Sequence, residues 1–301
     1  ELNVPESEIK KTIFEHPEFV SYSKDLEKVF AKWEKKHVPD LKGISTDDSA
    51  RAVIGPLADS ILTVYAGKQL IDEYDVYQHL LSYWLETMKD DTYIIIEDGW
   101  KADVREVVRQ RGGRKVENTI KVGRKEYICE LLPKDLLLQK LFESDQEQLQ
   151  QLEVEKESKA GELEELVEEH AGDDGLLAEV TGENGKVSKT SVKARVREIK
   201  SEKDPDDADE LAILEQYLDL SEEGTALNSK IKTAESALDK HLYDKYGTLT
   251  EDEVKTLVVD DKWITTIRES IGSEMNDISQ SLAGRVSELA ERYSRRAPEL
   301  E

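Results

Sequence analysis

The chain has 301 residues, a net charge of −25 and a single cysteine, with 38% hydrophobic and 36% charged residues. That length allows two or three domains with real cores, and the balance suits long solvated helices better than a thick α/β core. The charge excludes a nucleic-acid surface spread over the whole molecule, the lone Cys129 excludes an internal disulfide or a cysteine-based zinc cluster, and no apolar run is long enough to span a membrane.

A chain with one cysteine reads as a protein of the reducing cytoplasm. It opens Glu1-Leu2-Asn3-Val4, without Met or signal-peptide pattern, and this predicts a piece cut from a longer protein. From residue 6 to 88 the pattern is helical. Ser7 is a candidate cap for a short helix through Glu15, and Pro17 fits the first turn of the next. That helix turns Phe19, Val20, Leu26, Val29, Phe30 and Trp33 inward. Asp47 or Asp48 starts another, bent or restarted at Pro56, with Ile61, Leu62 and Tyr65 inside. A strong helix over 69–88 carries Leu70, Tyr74, Tyr77, Leu81, Trp84 and Met88 at steps of three or four, an aromatic stripe that reads as core. Tyr93-Ile94-Ile95-Ile96 followed by Asp98-Gly99 reads as a strand and turn. Thr119–Val122 and Tyr127–Cys129, separated by Gly123, read as a small hairpin.

Two heptad patterns then dominate. The first, 134–171, opens after Pro133 and runs Leu138, Phe142, Asp145, Leu149, Leu152, Lys156, Lys159, Leu163, Leu166, His170, apolar at its ends and polar in the middle. The second, 206–246, runs Ile213, Tyr217, Leu220, Gly224, Leu227, Ile231, Ala234, Leu238, His241. Each predicts a helix roughly 55–60 Å long, the two folded back as an antiparallel pair. The tip between them, 172–205, has Gly172 as a left-handed stop, a turn at 182–185, a short helix capped by Thr190 or Ser191 with Val192, Val196 and Ile199 on one face, and Asp204-Pro205 as the next start. Thr250-Glu251-Asp252-Glu253 matches a capping box. A last amphipathic helix follows, with Ile264, Ile267, Ile271, Met275, Ile278, Leu282, Val286, Leu289 and Tyr293 on one stripe.

The fold class is therefore mainly α: a helical domain with a small β hairpin (1–132), a long antiparallel coiled-coil-like arm with a structured tip (133–249), and a C-terminal helical segment (250–301). The alternatives for the arm are a self-contained hairpin and a docking arm for helices of another protein.

Catalytic motifs are missing. The sixteen glycines include no G-x-G pair, so no glycine turn lets the backbone approach S-adenosylmethionine. No two of the seven prolines are adjacent, which removes the (D/N)-P-P-(F/Y) motif that holds a flipped adenine. P-loop and H-E-x-x-H motifs are also lacking. The five histidines are scattered; His170 and His241, on the arm seams, read as packing residues rather than metal ligands. Two basic islands interrupt the acidity. One, 101–125, offers Arg105, Arg109, Arg111, Arg114 and Lys115 as candidate DNA phosphate contacts. The other, 186–203, carries Lys186, Lys189, Lys193, Arg195, Arg197, Lys200 and Lys203. The competing role for both is to neutralise the acidic first arm helix.

Three stretches together resemble one family: Leu70–Tyr77 with Tyr83-Trp84, Asp90-Asp91 and Asp98-Gly99-Trp100; Glu164-Glu165 with Gly172–Leu177; and Leu257-Val258-Val259-Asp260-Asp261-Lys262-Trp263 with Glu288–Tyr293. They look like the C-terminal part of the modification (M) subunit of type I restriction-modification systems, and the resemblance covers nearly the whole chain. It implies a parent protein that is an N6-adenine DNA methyltransferase using S-adenosylmethionine. It also implies assembly with a specificity (S) subunit, through it with a second M subunit, and with restriction subunits and DNA. The family's catalytic and cofactor motifs match nothing here. The resemblance therefore implies no catalytic, cofactor or metal residue in this chain, and no activity of the chain alone. The anchors expected for the S subunit are Leu220, Leu227, Ile231, Ile271, Ile278 and Leu282, because the arm's polar first seam leaves the second one uncovered. The other reading is a stand-alone coiled-coil scaffold unrelated to methylation.

Overall fold

The structure, a computed structural model, describes residues 8–108, 116–172, 175–182, 185–202, 204 and 207–294. It runs α1 (Ile9–Glu15), α2 (Pro17–Lys42), α3 (Ala50–Tyr65), α4 (Glu73–Tyr83), a π-helical turn (Trp84–Met88) and α5 (Lys89–Asp98). Three short strands follow: β1 (Arg105–Glu106), β2 (Ile120–Val122) and β3 (Lys125–Ile128). Next come α6 (Lys134–Leu141), α7 (Glu143–His170), a 3-10 turn (Ala178–Val180), α8 (Lys189–Glu202) and α9 (Ala208–Tyr246). The last elements are α10 (Glu251–Lys255), a π-helical stretch (Thr256–Ile264) and α11 (Thr265–Ser294). The fold is mainly α, with one small sheet of order β1-β3-β2 and a long last helix.

Contacts divide the chain into two units. The first joins Glu1–Arg105, Cys129–Leu136 and Tyr246–Glu301; the second joins Glu106–Ile128 and Leu137–Lys245. This division crosses the boundaries expected at 132/133 and 249/250. The last helix belongs with the N-terminal helices because α11 packs on α1 and α4, and the second π stretch packs on α2. The hairpin belongs with the arm.

In the first unit, α2 begins as its proline predicts, with the His16 ring accepting from the Glu18 N–H. It buries Leu26, Phe30, Trp33, His37 and Leu41, one stripe of a helix. The start of α3 is Ser49, whose hydroxyl accepts from the Ala52 N–H, and neither Asp47 nor Asp48; Asp48 instead accepts from the Ser45 N–H and hydroxyl. Pro56 lies inside α3 and does not end it. The 69–88 stripe is displaced from its expected face. Leu70 and Tyr74 are exposed, and the buried line is Val76, Leu80, Trp84 and Met88. Its steps of four suit the extra residue that the π turn inserts. The segment Tyr93–Ile96 is helix α5, not a strand. Its β-branched residues favour a strand locally, but Thr92 and Ile95 continue the buried line from Met88, and burial overrides local preference. Ser7 and the residues after 294 lie outside the described residues.

In the second unit, β2 and β3 form the expected hairpin, pairing Ile120 with Tyr127 and Val122 with Lys125. Gly123 supplies the positive φ, +63°, that a two-residue hairpin loop needs at its first position. The hairpin is held to α9 by the Asp239 carboxylate, which accepts from the Lys121 N–H at 2.9 Å, and by the Tyr127 and Tyr243 rings, 4.8 Å apart. The tip has its own core, in which Leu166, Leu177, Val192, Val196, Ile199 and Leu214 come together. The cap of α8 is Ser188, accepting from the Ser191 N–H, rather than Thr190 or Ser191. Gly172 has no left-handed backbone; the glycine that matters is Gly175, where a Cβ would meet the His170 carbonyl oxygen at 2.1 Å.

Candidate functional site

The arm seam is the first candidate surface. On α9 the buried line is Leu214, Tyr217, Leu220, Leu227, Ile231, Leu238, Leu242 and Tyr246. Its middle is the predicted seam. At the ends Leu214 replaces Ile213, and Leu242 replaces His241, which is exposed. On α7 only Leu166 is buried; Phe142, Leu149, Leu152, Lys156, Lys159 and Leu163 form a half-buried line. The two helices run antiparallel. Lys159 meets Glu223 at 3.4 Å, while Leu166 joins the cluster of Leu214 and Tyr217. This corrects the expectation of an uncovered second seam. Leu220, Leu227 and Ile231, named as partner anchors, are buried within the chain. Half-buried lysines take part in the facing seam because their aliphatic stems are apolar and only the ammonium must reach water; Lys159 sends its own to Glu162 and Glu223.

The last helix is the second candidate. Ile264, Ile267, Ile271 and Met275 are buried in the first unit, so Ile271 too is core. Further along, burial becomes uneven, although Ser279 is still fully buried. Ile278 is half-buried, and Leu282 and Leu289 are 40% and 37% exposed. Leu282 and Leu289 are seven residues apart, two turns on one face. Of the six anchors, only Ile278 and Leu282 lie where a partner could reach them.

A buried ion pair in the first unit is one that patterning does not reveal. The Lys262 ammonium donates to both Asp91 carboxylate oxygens, at 2.9 and 2.7 Å, and to the Leu131 carbonyl at 2.8 Å. The Trp263 indole N–H donates to the same carboxylate at 2.8 Å. Lys262 and Trp263 lie on the second π stretch, and Tyr83, just before the π turn, donates to the Lys262 carbonyl. Burial pushes the Asp91 carboxyl above its ordinary value; Lys262, and then Trp263, pull the other way. Burial likewise pushes the Tyr83 hydroxyl up to about 12. Both Asp91 oxygens are engaged by protein donors. The arrangement holds helices together and leaves no free acid or base for a substrate.

A second polar knot joins α2 and α3. The Trp33 indole donates to the Ser60 hydroxyl at 2.8 Å, and the His37 Nε2 lies 2.7 Å from that oxygen. Burial holds His37 below the ordinary imidazole range. The Ser60 hydroxyl also donates to its own helix, at the Leu57 carbonyl. Bonded in this way, it is a helix clasp rather than an activated nucleophile.

Of the first basic island, Arg105 is exposed and paired with Glu130, and Lys125 meets Glu106 at 2.6 Å. Arg109, Arg111, Arg114 and Lys115 lie outside the described residues. The second island is neutralised mainly by α9, not by the acidic α7. Lys189 and Lys193 face Glu222, and Lys200 meets Glu215 at 2.7 Å. Arg195 forks onto Glu210 at 2.8 and 3.0 Å and also reaches Glu179 and Glu198. Among the described residues no three His, Cys, Asp or Glu side chains gather as metal ligands, and no helix is long and apolar enough to cross a membrane. Comparison with protein families, curated proteins and solved structures returns no match.

Proposed function

We propose that this chain is the C-terminal assembly region of a type I restriction-modification M subunit, and that α11 docks the S subunit. In this reading the chain does no chemistry. S-adenosylmethionine and the catalytic residues belong to another part of the parent methyltransferase. The S subunit joins a second M subunit, and the restriction subunit and DNA meet the assembled cytoplasmic complex.

One observation carries the reading: the apolar stripe of α11 continues through Ile278, Leu282 and Leu289, which the first unit covers only in part. A helix offering anchors at this spacing fits the groove of a helical partner. The stretches that carry the family resemblance lend further support. Asp91 and Lys262-Trp263, from separate stretches, meet in one buried ion pair, and Trp100 packs 6.3 Å from Trp263. Leu177, from the stretch that includes Glu164-Glu165, is fully buried in the tip core.

The test is capture of purified S subunit by the 301-residue chain. Leu282→Asp with Leu289→Asp should weaken capture at least tenfold without changing helicity or Tm, since both side chains are exposed. Undiminished capture by a folded double variant would remove α11 as the docking helix. Saturable binding of S-adenosylmethionine by this chain in calorimetry would overturn its non-catalytic role.

A further inference from the structure

In the first unit an open groove of about 400 Å³ lies between the α1–α2 elbow and α11. That volume falls within the range of small-molecule sites. Its lining is dominated by Leu26, Phe30, Ile71, Ile271 and Met275. Phe14 and Phe19 add two rings in edge-to-face contact at 5.4 Å.

Two features set this groove apart from ordinary imperfect packing. The first is Gly272, in the interior of α11, where glycine lowers helix stability relative to any ordinary side chain. Its backbone is not left-handed, and a Cβ built there meets nothing within 4 Å. Neither conformation nor crowding requires glycine at this position. What its missing side chain does is leave the groove open. The second is Tyr65, which lines the groove and is completely buried, with a hydroxyl that has no hydrogen-bond partner among the described residues. Its neighbour Tyr22 also carries a hydroxyl without a partner among the described residues but does not line the groove. Buried hydroxyls normally find a partner, so of the two it is Tyr65, beside the apolar groove, that is placed to donate to an acceptor there.

The rim decides the charge of the occupant. Lys24 and Glu27 oppose each other in sign. Arg268 is already engaged, 2.5 Å from Glu34 and stacked 5.4 Å over the Phe30 ring. No unbalanced charge is left to attract an ion. We propose that this groove binds a small, neutral, apolar molecule carrying one hydrogen-bond acceptor, with Gly272 keeping the space open and the Tyr65 hydroxyl donating to the acceptor.

The test titrates the 301-residue chain with 2-acetylnaphthalene and with 2-ethylnaphthalene, nearly equal in size but differing in the carbonyl, and follows protein methyl signals by NMR. Both should saturate one site, the ketone about threefold to tenfold tighter, the worth of one hydrogen bond. Gly272→Leu should abolish binding of both while matching or exceeding the wild-type Tm. Tyr65→Phe should keep binding of the hydrocarbon and erase the preference for the ketone. Absence of saturation, full binding by Gly272→Leu, or a preference that survives Tyr65→Phe would each overturn the proposal. If Gly272→Leu fails to fold, the Tyr65→Phe preference decides alone.

Discussion

Lys262 and Asp91 stand 171 residues apart in sequence, yet the ammonium lies 2.7 Å from the nearer carboxylate oxygen. Their side chains are 10% and 5% exposed, so each would be a costly buried charge without the other. Lys262→Met should therefore destabilise the first unit by roughly 3–5 kcal/mol, read from urea unfolding. Adding Asp91→Asn should recover part of that loss. The loss should also shrink on acidification. A carboxyl raised in the folded state contributes stability that is fully present below the unfolded value of 3.8 and is lost as pH rises through the folded value. Removing Lys262 raises that folded value further, so the variant should regain ground between pH 7 and pH 4. A deficit independent of pH would contradict this account.

Three tyrosines whose hydroxyls burial raises predict weakness in alkali. Burial pushes Tyr65 and Tyr83 up to about 12, and it raises Tyr246 as well. The protonated phenols contribute stability that is complete below pH 10, their unfolded value, and is lost as pH climbs toward 12. Tm should fall across that window. Tyr246 donates to the Leu132 carbonyl at 2.7 Å, so Tyr246→Phe should cost about 1 kcal/mol at pH 7 and less at pH 11.5. Parallel wild-type and variant Tm curves would refute the assignment.

The two seams of the arm should respond unequally to truncation. Leu227 is 4% exposed, and Leu227→Ala should cost roughly 2–4 kcal/mol. Leu152, half-buried on α7, should cost about half of that or less. Equal losses in urea would mean that the α7 seam is covered as fully as the α9 seam.

The basic islands should separate in a salt titration of DNA binding by the assembled complex. Lys189→Ala with Lys193→Ala should leave the slope unchanged, because both lysines already face Glu222. Arg109→Ala with Arg111→Ala should flatten it and weaken binding at every DNA sequence, as expected of phosphate contacts. The reverse pattern would assign DNA contact to the tip.

The α9 seam was legible because leucine and isoleucine recur along it at steps of three and four. Its ends slipped by one residue because local neighbours, not the repeat, set burial there. Leu214 rather than Ile213 joins the tip core with Leu166, Leu177 and Val196, and at the other end the apolar Leu242 is buried in place of the exposed His241. Helix α5 departs from its local pattern because Ile94-Ile95-Ile96 speaks for a strand, while its role as a continuation of Trp84 and Met88 is set only by packing. The Asp91–Lys262 pair had no periodic signature at all. Acid and base lie in two stretches far apart in the chain, and only the fold brings them together. Gly272 has no sequence signature either: it falls inside an amphipathic helix, and only packing sets the space beside it.

The interruption of the first unit has a consequence for how the protein is made. Asp91 leaves the ribosome long before Lys262, and at about 5–20 residues per second the interval is roughly ten to thirty seconds. During that time α2 to α5 wait without Trp263, Ile264 and Ile267, while the inserted second unit emerges with all of its own partners. The segment encoded later therefore has the first opportunity to finish folding, and the nascent N-terminal helices are the part of this chain most in need of a chaperone.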